Sequence, residues 1–109
     1  MDLAGKECIP CRGGVPPLDL QAQKRLLEEL NNNWQIVDGH HLSKTYQFDT
    51  FPAAIDSTVR LADIAEEQGH HPDIHISYNE VRLDIWTHKI DGLTESDFIL
   101  AAKADQVMK

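Results

Sequence analysis

The sequence predicts an α+β domain: a four-stranded antiparallel sheet with three helices packed on one face, in the order α-β-β-α-β-β-α. Three observations carry that expectation. Apolar residues recur at helical spacing in separated stretches. Between them lie paired β-prone runs, each pair broken by a short turn. Strands joined as hairpins pair antiparallel and leave an apolar face for helices to cover. The 109 residues suffice for a single domain, 1–109, with one modest core. Because a chain of this size buries only roughly two-thirds of its unfolded surface, self-association is expected as a further source of burial.

Residues 1–17, ending CRGGVPP, carry paired Gly and paired Pro without any period, and read as a loop-rich N-terminal arm. From Leu18 to about Asn31, Leu26, Leu27 and Leu30 share one helical face behind Asp19 as a cap, and the Asn run 31–33 stops the helix. Residues 34–48 form a hairpin about Asp38-Gly39, a pair that tolerates the positive φ of a tight turn. The stretch 50–68 begins with a capping Thr50 and an early Pro52. It places Ile55, Val59, Ala62, Ile64 and Ala65 at helical intervals and ends at Gly69.

After Pro72 the chain alternates. Ile74, Ile76 and Tyr78 point one way, and Val81, Leu83 and Ile85 continue the apolar row beyond Asn79-Glu80 as a second hairpin. Thr94 to Met108 closes the domain as a helix bearing Phe98, Ile99, Ala102 and Val107, with TESD as a capping box.

A formal charge of −8 repels phosphate backbones and anionic membranes, and the basic residues, such as Lys24, Arg25 and Lys44, are scattered. No nucleic-acid or membrane partner is expected. The first ten residues lack a secretory signal and no window is long and apolar enough to span a bilayer, so a cytoplasmic location is expected. Cys8 and Cys11 make one C-x-x-C, half a zinc site; a structural or incidental role is expected in preference to redox or metal chemistry.

The chemistry-bearing stretch is EEQGHHPDIHISY, 66–78. Glu66 and His70 lie four residues apart at a helix end, where one turn brings carboxylate and imidazole together. Pro72 turns His71 out of the helical region, so the neighbouring rings reach different atoms of one ligand. His88 is expected to end the fourth strand, on the polar side with Arg82, Asp84 and Trp86. If that hairpin folds back beside 70–72, three imidazoles and a carboxylate surround one shallow site able to donate and accept protons at neutral pH.

Such a set suits elimination or hydration, in which a hydroxyl leaves protonated while a neighbouring atom loses a proton. There is no G-x-S-x-G, Gly-rich phosphate loop or H-E-x-x-H. The plainer reading is a solvated helix end whose histidines the helix dipole favours. His40 and His41 read as surface residues, His75 as solvated on the polar sheet face, and Trp34 and Trp86 as packing residues. Asp97 serves equally well as a helix cap or a site carboxylate.

Glu66, His70, His71, Pro72, Tyr78, His88 and Asp97, with these gaps, resemble the motif of the pterin-4a-carbinolamine dehydratase family. Trp34 and the element order extend the likeness over 18–108, and the CIPCRGGVPPL arm resembles that of many microbial members. The resemblance implies dehydration of 4a-hydroxytetrahydropterin to quinonoid dihydropterin, recycling a tetrahydrobiopterin-type cofactor after aromatic amino acid hydroxylation. It implies His70 and His88 as acid–base groups, Glu66 as an aid to His70, His71 orienting the pterin, and Trp34 and Asp97 among the substrate-binding residues. It implies no metal or redox cofactor and a homodimer or homotetramer. Gly69, where relatives often have Asp or Asn, and Trp86, at a position small and polar in animal members, depart from the pattern. Animal members also act as transcriptional cofactors, so a non-catalytic pterin-binding or protein-interaction module stands as the alternative. A metal-binding role for the histidine corner is a third.

Overall fold

The computed structural model describes residues 3–8, 16–30 and 33–108. The elements are α1 (Leu20–Leu30), β1 (Gln35–Val37), β2 (His41–Gln47), α2 (Phe51–Gln68), β3 (Asp73–Ser77), β4 (Glu80–Ile85) and α3 (Glu95–Val107). Single turns of 3-10 helix occur at Leu3–Gly5 and His88–Ile90. All strand pairs are antiparallel, in spatial order β1-β2-β4-β3.

Helix ends lie where local chemistry places them. Thr50 Oγ1 accepts the Ala53 N–H at 3.2 Å and starts α2, with Pro52 in the first turn. Gly69, at φ 64°, ends it. The N–H of His70 donates to the Ala65 carbonyl, a closing bond that turns the chain sharply off the helix axis. Asp97 Oδ2 accepts the Thr94 N–H at 2.8 Å and caps α3, as the TESD spacing predicts.

The β1–β2 turn takes positive φ at both Asp38 and Gly39, the form that matches strand twist. The second hairpin differs from expectation. Its turn is Tyr78-Asn79, not Asn79-Glu80, because Ser77 already pairs with Glu80. Tyr78 is thrown into the left-handed region at φ 52° and lies exposed instead of continuing the row of Ile74 and Ile76. Asn79 compensates by donating from Nδ2 to the Phe48 carbonyl at 2.9 Å.

Val81, Leu83 and Ile85 are fully buried beneath the helices, while Arg82 on the other face is exposed. Phe98 to Ala101 are buried all round α3, since α1, α2 and the first 3-10 turn pack on it from different sides. The described part of the arm is docked on this layer. Leu3 is buried, Lys103 Nζ donates to the Ala4 carbonyl, and the Cys8 N–H donates to Gln68 Oε1. Cys11 lies outside the described residues. Among the described residues no helix is long and apolar enough to cross a membrane.

Candidate active site

The β3–β4 register brings the histidines together. Asp73 pairs with Asp84, so the chain entering β3 and the chain leaving β4 continue side by side. Gly69, His70 and His71 there face Trp86, Thr87, His88 and Lys89 across a concavity of about 260 Å³. The three imidazoles expected at one site thus share one hollow.

Their carboxylate partners are not the expected ones. His70 Nε2 contacts Asp97 Oδ1 at 2.5 Å, and the Asp97 side chain is 0% exposed. Asp97 Oδ2 accepts from the Thr94 N–H and from the Thr87 hydroxyl, each at 2.8 Å. A carboxylate surrounded by donors assigns the His70 proton to Nε2 and leaves Nδ1 as the atom for proton exchange. Asp97 itself is not in the lining of the concavity and meets it through His70 and Thr87.

Glu66 pairs with His71, Oε1 to Nε2 at 2.8 Å, instead of with His70. The four-residue rule holds only while the helix continues, and Gly69 has already turned His70 away. The Glu66–His71 pair is open to solvent, with side chains 82% and 61% exposed. His88 also differs from expectation: β4 ends at Ile85, and His88 opens the following 3-10 turn. Its Nε2 is 3.8 Å from Asp73 Oδ1. The imidazoles therefore look to different carboxylates, and among the described residues no group of three or more His, Cys, Asp or Glu is arranged to hold a metal ion.

Trp34 lies elsewhere. It is buried in the core, with Nε1 donating to Asp105 Oδ2 at 3.0 Å and its ring edge-on to Tyr46. Asp105 Oδ1 also accepts from Lys44 Nζ at 2.7 Å and from the Tyr46 hydroxyl at 2.5 Å. Burial, and then the bond to Asp105, push the Tyr46 phenol far above its ordinary pKa. Trp34 is thus an anchor between sheet and α3 and not part of the concavity lining. His75 sits exposed on the outer face near Asp84, as expected.

The sequence reading missed His40 and His41. They are half-buried and pack against Trp86, with ring centroids at 5.2 and 5.7 Å. The signal lies in the β2–β4 register, which pairs Leu42 with Ile85 and so sets residue 41 against 86. Those strands are far apart in sequence, and no local pattern reports their register.

The family model described as pterin 4 alpha carbinolamine dehydratase matches residues 16–107. A Rubrobacter xylanophilus protein is 49% identical over 106 residues, covering 97% of this chain and 98% of its own. A Rickettsia canadensis protein is 52% identical over 103 residues, 94% of each chain. Both are provisionally named pterin-4-alpha-carbinolamine dehydratases. A crystal structure described as a transcriptional coactivator/pterin dehydratase from Brucella melitensis aligns with a TM-score of 0.79 at 30% identity, over 85% of this chain and 99% of that one.

Proposed function

The chain belongs to the pterin 4 alpha carbinolamine dehydratase family, and on that premise we propose that it dehydrates 4a-hydroxytetrahydropterin to quinonoid dihydropterin by imidazole acid–base catalysis. The observation that carries this reading is His70, held through Nε2 by the buried Asp97 in the same hollow as His88. A bare bicyclic ring suits a hollow of about 260 Å³, slightly below the usual size for larger ligands.

In this reading Nδ1 of His70 takes the proton from N5 of the pterin. The N5 electron pair closes a C4a=N5 double bond as the C4a–O bond breaks. His88 gives a proton to the departing oxygen, which leaves as water. Asp97 stabilises the imidazolium formed at His70, and the exposed His71 hydrogen-bonds and orients the ring. Each positioned acid or base of this kind contributes roughly 10²–10⁴-fold.

The biological setting belongs to the same proposal: a cytoplasmic protein that recycles reduced pterin after an aromatic amino acid hydroxylase. It also includes a homodimer or homotetramer, supported by Ile76 on edge strand β3 and Val59 on α2, both exposed apolar side chains. Sedimentation of the purified chain tests that part.

Stopped-flow measurement of carbinolamine decay tests the chemistry. His70→Ala and His88→Ala should each slow the wild-type rate by about tenfold or more with folding intact. Unchanged rates in both variants would refute histidine catalysis. A second reading, binding of pterin or protein without turnover, is favoured by the coactivator half of the Brucella melitensis description. Calorimetric binding of a dihydropterin without catalysis would select it.

A further inference from the structure

We infer that Trp86 is a positioning residue for His88, and that the corner of the first hairpin braces it. The inference rests on the acid–base reading of His88 above. Trp86 and His88 are separated by Thr87 alone and follow the last residue of β4, where the sheet ladder no longer holds the chain. The indole meets the His88 imidazole edge-on, with centroids 4.2 Å apart and planes at 65°. This geometry is the favoured one for two aromatic rings.

The indole is in turn held from behind. His41 lies across the strand pair from it and His40 packs beside it. The two imidazoles join Nδ1 to Nδ1 at 3.0 Å, so one must donate and the other accept. His40 Nε2 then reaches Asp91 Oδ1 at 2.6 Å. Asp91, at φ 50°, is the residue that ends the 3-10 turn His88–Ile90. The first hairpin therefore grips the turn carrying His88 at both ends, through Trp86 at its start and Asp91 at its finish. Reciprocal backbone bonds between Thr87 and Gly92 close the same loop.

The two grips are unequal. Asp91 is almost wholly exposed, and a contact to a solvated carboxylate contributes little. The half-buried indole is the larger support. Without it, the exposed His88 ring can rotate away from the hollow it shares with His70.

The test is a double-mutant cycle with kcat and KM measured separately. Trp86→Ala should lower kcat by about tenfold with KM within about threefold, because a misplaced acid costs turnover more than binding. Trp86→Phe, which restores an aromatic edge, should recover most of the loss. In a His88→Ala background, Trp86→Ala should have little further effect, under about twofold. Additive losses in the cycle, or a loss confined to KM, would overturn the inference. If the wild type has no dehydratase activity, the proposed function falls by itself, and NMR then decides this one. The His88 ring protons should lose the indole's ring-current shift in Trp86→Ala and partly in His40→Ala. His88 resonances unmoved by Trp86→Ala would refute the positioning role whatever the activity.

Discussion

Asp97 Oδ1 lies 2.5 Å from Nε2 of His70, while the other oxygen of the same carboxylate caps α3 at the Thr94 N–H. One buried side chain thus starts a helix and orients the imidazole of the candidate base. The fold cannot lose the cap without disturbing the ring.

Asp97→Asn should keep the cap and lose the charged contact to His70. The amide oxygen serves the cap, and the NH2 group then faces His70 Nε2 as a donor where a charged acceptor stood. Turnover should fall by about 10²-fold, and denaturant unfolding should show a loss of about 1.5–3 kcal/mol, the range for a hydrogen bond to a charged group. Wild-type kinetics in a folded Asp97→Asn protein would dissociate the pair from catalysis.

Glu66→Gln should change little. Its partner His71 is largely in solvent, and an exposed pair contributes about 0–1 kcal/mol. Turnover within about threefold of wild type is expected, since a solvent-screened carboxylate contributes little to holding His71. A loss as large as that of His70→Ala would return Glu66 to the role of aid to His70 that the motif implies.

Gly69→Ala isolates a backbone effect. Nothing lies within 4 Å of an added Cβ, so the cost is the left-handed conformation alone. Unfolding should show a loss of about 1–2 kcal/mol, and any loss of activity should follow a displaced His70. Unchanged stability would mean that the helix end can relax into another turn.

Cys8 supplies a pH-dependent prediction. Burial pushes its thiol from 9.0 up to about 11, with Lys103 opposing the shift. Because the folded value lies above the unfolded one, the protonated thiol is favoured by folding. Its contribution is complete below pH 9.0 and is lost as pH rises to about 11. In a Cys11→Ser protein, iodoacetamide should modify Cys8 far more slowly than in the unfolded chain at pH about 9. Equal rates would show the thiol to be open.

Asp105→Ala should test the anchor. It strips Lys44, Tyr46 and Trp34 of a common acceptor, and breaking this part-buried cluster should cost about 2–3 kcal/mol, below the range for a fully buried pair. Trp34→Phe removes one of those bonds and part of a buried ring, and should cost about 2–3 kcal/mol with KM nearly unchanged. A large rise in KM for Trp34→Phe would restore Trp34 to the ligand-binding group.

The sequence by itself determined whatever is settled within a few residues. Thr50 and Gly69 bound α2, Thr94 and Asp97 start α3, and Asp38-Gly39 turns the first hairpin, because capping bonds and positive φ depend on immediate neighbours. The alternation of Val81, Leu83 and Ile85 marked the buried sheet face, because side chains two apart in a strand share one side. Tertiary structure alone decided the partners. Asp97 lies 27 residues beyond His70 and displaces Glu66 because packing of α3 under the corner brings it there. The β2–β4 register, set across intervening α2 and β3, puts His41 against Trp86. Side-chain encounters at such separations depend on how whole elements dock, and no local spacing carries that information.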